Sequence, residues 1–179
     1  PELFEGVGYL INEGGSGRMT DEKVRFSVEV TQKVPLWLRI VSKGEPGHGS
    51  VPRTESAVTR LIGALARIHA YPSTHRITPS VDAYFKAIAG NAGPEWQESF
   101  QNMEAAIKDP EFVAKLHEQE RGLHSLTRNT ISMTILDGSS KINVVPNRAT
   151  AELDCRLLPD QDPEEFINTL RFIINDPAV

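Results

Sequence analysis

A histidine in a segment rich in glycine and proline is the strongest candidate for chemistry in this chain. His48 lies within Gly-Glu-Pro-Gly-His-Gly-Ser-Val-Pro, residues 44–52. Glycines remove side-chain bulk and prolines stiffen the backbone, so the segment predicts a loop from which the imidazole projects. One chemistry open to it is hydrolysis in which His48 works with Ser50 or Asp154. The alternative is a histidine that only caps local backbone groups, and the residues leave both open.

Three further polar residues stand where chemistry is also conceivable. Glu13 ends an apolar strand-like run and precedes a glycine turn, a place where open α/β sheets present catalytic or ligand-binding groups. Asn143 precedes Val-Val-Pro, and Arg156 lies on the polar face of a predicted strand, where a guanidinium can bind a substrate carboxylate. The plainer alternatives are a solvated glutamate, an asparagine that forms a turn, and an arginine paired with Glu152 or Asp154.

The remaining histidines and the cysteine show no catalytic spacing. No His-x-x-x-His or His-Glu-x-x-His pair occurs, which favours structural or solvated roles for the other four histidines, His69, His75, His117 and His124. Cys155 falls on the apolar face of a strand predicted over 149–157 and is interpreted as a core residue. Residues 14–18, Gly-Gly-Ser-Gly-Arg, match neither a phosphate-binding loop nor a nucleophile elbow.

Strands and helices must position these residues, and both are visible as hydrophobic patterns. Alternation of apolar and polar residues predicts four strands, at 24–32, 36–42, 129–136 and 148–158. The second of them runs directly into the His48 loop. The Val34-Pro35 step between the first two strands favours an extended connection and is the candidate hinge.

Helical spacing of apolar residues predicts a helix over 55–70. Two further short helices, each with a proline at a plausible first position, are predicted within 93–108 and 109–122. Asp162 caps a last helix that extends to residue 174. Residues 71–93 are rich in turn formers and are predicted to be irregular.

The order of the elements indicates the fold class. Strand, helix, inserted helices, strand, strand and helix make up most of a β-α-β-β-α-β split unit, whose last strand is expected to lie beyond Val179. An α+β domain is therefore predicted.

Composition excludes several classes of function. The chain has 179 residues, 39% of them hydrophobic, and its 19 Lys and Arg against 24 Asp and Glu give a net charge of −5. Charges of both signs are scattered, so no nucleic-acid partner is expected, and no apolar run reaches membrane-span length. A single cysteine excludes an internal disulfide. The composition predicts a soluble globular segment. Because the chain begins without methionine, we expect it to be a fragment, and its localisation stays unknown.

Three motifs taken in order resemble a known enzyme family. Ile-Asn-Glu-Gly-Gly at 11–15, the His48 loop, and Ile-Asn-Val-Val-Pro through Asp-Cys-Arg-Leu-Leu-Pro at 142–159 are similar to the di-zinc peptidases of metallopeptidase family twenty. These are the relatives of aminoacylase, carboxypeptidase S and glutamate carboxypeptidase. The resemblance is densest over 34–70 and 129–175 and loose over 71–128.

This resemblance implies a particular architecture. An α/β zinc domain is interrupted by a lid, or dimerisation, domain: a two-layer sandwich with an antiparallel four-stranded sheet and two helices on one face, in a ferredoxin-like arrangement. Residues 1–34 are then a remnant of the catalytic domain. Residues 35–179 are the lid, with inserted helices and without its final strand.

The resemblance also implies roles for the candidate residues. Glu13 matches a ligand of one zinc, His48 a histidine that reaches the partner subunit's active site and donates to the oxyanion, and Asn143 and Arg156 the positions that hold the substrate carboxylate. The parent enzyme is expected to be a homodimer with two zinc ions that cleaves an amide bond next to a free carboxylate, in an N-acyl amino acid or small peptide. Since the other zinc ligands and the general base have no counterpart here, we expect no tight zinc binding and no activity from this fragment alone.

Two other functions remain open. One is a non-catalytic association module in which the His48 loop is structural. The other is an unrelated α+β hydrolase that uses His48 with Ser50 or Asp154 and needs no zinc.

Overall fold

The computed structural model of the protein describes residues 5–8, 16–20 and 23–179, which fall into two compact units, Pro1–Gln32 and Lys33–Val179. In the first unit, β1 (Ser16–Thr20) and β2 (Lys23–Ser27) form an antiparallel ribbon. The strand predicted over 24–32 therefore ends at Ser27. Apolar side chains of this ribbon are exposed, Met19 at 78% and Phe26 at 79%.

The second unit contains the remaining described elements. Along residues 33–179 they are β3 (Val34–Lys43), β4 (Gly47–His48), α1 (Ala57–Ala70), α2 (Pro79–Ala89), α3 (Pro94–Gln101), α4 (Met103–Ala106), α5 (Pro110–Gln119), α6 (Arg121–Leu126), β5 (Thr130–Asp137), β6 (Val144–Val145), β7 (Arg148–Leu157) and α7 (Pro163–Ile174).

The main sheet of this unit has three antiparallel strands in the order β3-β7-β5. Val34 pairs with Leu157 and Lys43 with Arg148, so β3 and β7 are aligned over their full lengths, while β5 carries a bulge after Met133. The predicted four-stranded sheet is not found among the described residues, where the sheet has the three strands β3, β7 and β5. After α7, the Lys43 amide of β3 donates to the carbonyl of Ala178 at 2.8 Å.

Strict alternation along β7 builds the core beneath this sheet. Every second residue from Ala149 to Leu157 is buried, and these side chains face the apolar stripes of α1 and α7. The sheet and the two helices therefore form a two-layer sandwich with both helices on one face. Cys155 is fully buried there, as predicted, and burial raises the pKa of its thiol to about 11, with Asp154 adding to the shift. A thiol in this state is inert rather than nucleophilic.

Side chains at the helix ends account for where α1 and α7 begin. Ser56 caps α1 through a reciprocal arrangement, since its hydroxyl accepts from the Thr59 amide and the Thr59 hydroxyl accepts from the Ser56 amide. Asp162 caps α7 and Asn175 closes it in the left-handed conformation. None of the described helices combines the length and apolar character that a membrane crossing needs.

The inserted helices α2 to α6 have a hydrophobic core of their own. Residues 71–93 were predicted to be irregular, and this was wrong: Thr78 caps α2, and Val81, Phe85 and Ala89 bury one face at four-residue spacing. The segment 93–108 is two helices, because the side chain of Asn102 accepts from the Ala105 amide and starts a new turn.

Three histidines meet where the insert joins the sheet. The ring of His124 lies 5.0 Å from that of His75 and 4.7 Å from that of His117, measured between centroids. Thr127 links the group, since its hydroxyl donates to the carbonyl of His124 and lies 2.7 Å from Nδ1 of His75. Burial, followed by the nearby charge of Arg128, lowers the pKa of His124 to about 4 and lowers that of His75 as well.

Mild acid is therefore expected to destabilise the fold. The pKa of His124 is about 4 in the folded protein and about 6.5 when unfolded, so between these values the unfolded chain binds more protons and stability falls as pH falls. Allowing for solvent screening, we expect the free energy of unfolding to be about 1 to 2 kcal/mol lower at pH 5 than at pH 7. Urea titrations at both pH values measure this difference.

A His124→Gln variant should lose most of this difference, whereas His69→Gln, which alters an exposed histidine on α1, should keep it. An equal pH dependence in all three proteins would show that titration of His124 is not its source.

Candidate functional site

Two short strands hold the His48 loop against the Asn143 loop. β4 pairs with β6 antiparallel, with Gly47 opposite Val145 and His48 opposite Val144. The Gly49 amide then donates to the carbonyl of Asn143 at 2.8 Å. Although 95 positions separate them in the sequence (143 − 48), the structure brings His48 and Asn143 to the same end of the sheet. Both residues are exposed.

Glycine is required at one point of this loop. A Cβ on Gly44 would lie 2.6 Å from the backbone nitrogen of Ala57, so only glycine allows the chain to pass the first turn of α1. At Gly49 a Cβ would lie 3.4 Å from backbone atoms of Asn143, which is an ordinary van der Waals contact, so this position does not demand glycine. Gly44, one of the glycines that predicted a projecting loop, therefore permits close backbone packing, which fixes where the loop leaves the sheet.

The imidazole of His48 is exposed but has local partners on one side. Nδ1 lies 2.7 Å from the Ser50 hydroxyl and accepts from the Ser50 amide at 3.2 Å. The Val51 amide closes the turn by donating to the carbonyl of His48 at 3.0 Å. With Nδ1 occupied in this way, Nε2 is the ring atom available to a ligand.

Arg156 lies at the opposite end of the sheet. It pairs with Pro35 near the start of β3, whereas Arg148, at the first position of β7, pairs with Lys43 beside the His48 loop. Eight residues of extended strand separate Arg148 from Arg156, a distance of about 26 Å. Within one chain, the structure therefore unites His48 with Asn143 but not with Arg156.

The guanidinium of Arg156 forms a two-pronged ion pair with a neighbour on the same face. Its Nε and Nη2 donate to the two carboxylate oxygens of Asp154 at 2.7 and 3.0 Å. These hydrogen bonds lower the pKa of Asp154 and raise that of Arg156. The carboxylate of Asp154 thus occupies the guanidinium fork that the sequence interpretation gave to a substrate.

The positions of these residues argue against the alternative hydrolase, in which His48 works with Ser50 or Asp154. Asp154 lies six residues along β7 from Arg148, about 20 Å from the His48 end of the sheet, and pairs with Arg156. Ser50 does contact His48, but no His48–Asp154 pair is formed. A Ser-His-Asp triad built from these residues is therefore absent.

Lys33 is a half-buried charge that sequence patterns did not reveal. Its Nζ donates to the carbonyls of Ser125 and Arg128 and to the hydroxyl of Thr130 at 3.1, 2.8 and 3.0 Å. Burial lowers its pKa to about 8, with repulsion from Arg128 and Arg156 adding to the shift. It ties the start of β3 to the junction of α6 and β5, and since its partners lie 92 to 97 residues away, no local pattern could indicate it.

The predicted zinc ligand, Glu13, lies outside the described residues. Among residues 5–8, 16–20 and 23–179, no group of three or more His, Cys, Asp or Glu is arranged to hold a metal ion. The described part of the chain therefore does not itself fit a zinc centre.

Comparison with known proteins gives a consistent set of relatives. A family model described as a peptidase dimerisation domain matches residues 30–179. A probable carboxypeptidase S-like 2 from Dictyostelium discoideum is 25% identical over 153 residues, which cover 86% of this chain and 29% of that protein. The N-fatty-acyl-amino acid synthase/hydrolase PM20D1 of Mus musculus is 25% identical over 178 residues, covering 97% and 35%.

Human aminoacylase-1 is 24% identical over 165 residues, covering 92% of this chain and 30% of that enzyme. The chain thus spans about a third of the length of the curated relatives it matches. Among solved structures, an M20 family metallo-carboxypeptidase from Sulfolobus solfataricus superposes with a TM-score of 0.49 at 20% identity, over 80% of this chain and 40% of that one.

Proposed function

Because this chain belongs to the M20 peptidase dimerisation domain family, whose model matches residues 30–179, we propose that it is the lid and dimerisation segment of a zinc-dependent peptidase or amidohydrolase. The parent enzyme cleaves an amide bond next to a free carboxylate. The names of the relatives support this substrate class, since they describe a carboxypeptidase, an aminoacylase and a hydrolase of N-fatty-acyl amino acids.

The observation that carries the proposal is the exposed imidazole of His48 on a loop held at several backbone points. The β4–β6 pairing, the hydrogen bond from Gly49 to Asn143 and the close pass of Gly44 at α1 keep the loop in one place. A hydrogen-bond donor stabilises a tetrahedral intermediate best when it is already in position. His48 is therefore assigned to the developing oxyanion, with Nε2 as the donor.

Asn143 and Arg156 are assigned to the substrate carboxylate. An amide and a guanidinium both donate to carboxylates, and Arg156 can exchange the carboxylate of Asp154 for that of the substrate. A dipeptide spans only about 7 Å, so it cannot touch both ends of one lid. We place His48 and Asn143 of one subunit and Arg156 of the other at each active site.

An active site that takes residues from two subunits requires a homodimer, and the exposed surfaces of the described residues support one. β5 is an edge strand whose Ile135 and Leu136 are 52% and 67% exposed, and Ile62 on α1 is 60% exposed. Unpaired edges recruit strands of other chains. At the other edge, the bond from Lys43 to Ala178 supports a fourth strand beside β3, which would complete the four-stranded sheet.

Residues 1–34 are proposed to belong to the zinc-binding catalytic domain, and 35–179 to the lid. The exposed Met19, Val24 and Phe26 of the first unit support this, since such apolar surface is expected to pack against further protein. Two zinc ions, with Glu13 as a ligand of one, would supply an activated water and polarise the amide carbonyl. The described residues contribute no part of that step.

Two other functions receive less support. A purely associative module explains the family match but leaves the placement of His48 beside Asn143 without a role. A zinc-independent hydrolase that pairs His48 with Asp154 is disfavoured by their separation along β7, and one that uses Ser50 has the His48–Ser50 contact but no Asp154 beside it to complete a triad.

The full-length protein is expected to hydrolyse N-acyl amino acids or small peptides and to stop after chelation, because the nucleophile depends on bound zinc. Adding zinc back should restore turnover, while the 179-residue chain alone should remain inactive with or without zinc. Release of free amino acid measures all three reactions. Turnover that survives exhaustive chelation, or turnover by the isolated chain, would contradict the proposal.

A further inference from the structure

We propose that Ser50 is a positioning residue for His48: its amide and hydroxyl both bind Nδ1, which leaves the proton of the neutral ring on Nε2, facing outward. This inference deepens the function proposed above and rests on it for its catalytic meaning. The arrangement itself stands on the geometry of the loop alone.

The backbone amide determines the direction of the first hydrogen bond. The Ser50 amide can only donate, and it lies 3.2 Å from Nδ1, so Nδ1 must offer a lone pair. In a neutral imidazole one nitrogen is the acceptor and the other carries the proton. The contact therefore selects the tautomer with hydrogen on Nε2, the form needed to donate a hydrogen bond away from the loop.

The hydroxyl of Ser50 adds a second contact to the same atom. It lies 2.7 Å from Nδ1, and since that nitrogen already accepts from an amide, the hydroxyl is the donor. Two donors on one ring nitrogen restrict rotation of the imidazole as well as its tautomer. An exposed histidine without such partners would sample several orientations.

Hydrogen bonds also fix the backbone around the ring. Three consecutive amides have separate acceptors: Gly49 donates to the carbonyl of Asn143, Ser50 to Nδ1 of His48, and Val51 to the carbonyl of His48. The amides of these three residues are thus all used, and the ring is one of the acceptors that hold them. Ring and loop therefore position one another.

Nitrogen-15 NMR of the 179-residue chain at pH 9 tests the placement of the proton, since two-bond proton–nitrogen correlations distinguish protonated from unprotonated ring nitrogens. We expect Nδ1 of His48 to be unprotonated in the wild type. Ser50→Ala should change the Nδ1 shift and Ser50→Thr, which keeps the hydroxyl, should restore it. His69, exposed on α1, is the internal reference and should not respond.

The same variants in the full-length enzyme test whether this positioning of His48 matters for catalysis. Ser50→Ala should lower kcat by roughly fivefold to tenfold, the scale of one lost hydrogen bond, with a smaller change in KM and recovery in Ser50→Thr. A protonated Nδ1 in the wild type would overturn the inference. So would a Ser50→Ala variant in which the chemical shift of Nδ1 and kcat are both unchanged. Because the NMR result needs no turnover, an inactive parent would refute the proposed function without altering the test of Ser50.

Discussion

Replacing His48 with alanine in the full-length protein is expected to lower kcat by roughly a hundredfold or more, the usual scale for loss of one oxyanion donor. KM should change far less, because the oxyanion exists only in the transition state while the substrate carboxylate is present throughout. The ring is exposed, so its removal leaves no cavity, and the loop remains held by the β4–β6 pairing. Steady-state kinetics on an N-acyl amino acid measure both parameters.

His69→Ala is the matched control, since it removes another exposed imidazole from the same unit, on α1. It should leave both parameters unchanged, and thermal unfolding should show that neither variant is destabilised. If the His48 variant retains wild-type kcat, the loop is structural and the associative module becomes the better account.

Mixing a His48→Ala parent with an Arg156→Ala parent is expected to restore activity that neither has alone. Arg156→Ala by itself should chiefly raise KM, since the carboxylate loses its partner. If one site takes His48 from one subunit and Arg156 from the other, each hybrid dimer has one intact site. Random exchange in an equal mixture then gives about a quarter of the wild-type number of sites. Assays of kcat/KM after verified subunit exchange measure the recovery.

The control pair is His48→Ala mixed with Asn143→Ala. These residues lie on paired loops of the same lid, so no hybrid dimer of this kind contains an intact site. Recovery should therefore be absent. Equal recovery from both mixtures, or none from either, would mean that the two ends of the lid do not serve different subunits.

Local sequence patterns were sufficient to predict the strands and helices that form the main core. Alternation along β7 placed Leu153 and Cys155 on the buried face, and the spacing of apolar residues predicted α1 to within two residues of its start. These elements could be predicted because each buries one face, so that the spacing of apolar residues within the segment shows whether it is a strand or a helix. The inserted helices were harder to predict. Helix α2 was missed because residues that favour turns flank it and its apolar repeat is short. The helix gains its stability by packing on Phe100 and Trp96, which lie outside the segment.

The sequence by itself determined the candidate residues, the glycine-rich loop around His48 and, through the resemblance of its motifs, the family. It could not determine which candidates meet, since that depends on strand register between segments about a hundred residues apart. Only the tertiary structure placed Asn143 beside His48 and Arg156 at the far end of β7, paired with Asp154. The physical reason is that residue type and spacing encode local conformation, whereas proximity comes from backbone pairing and burial across the whole unit.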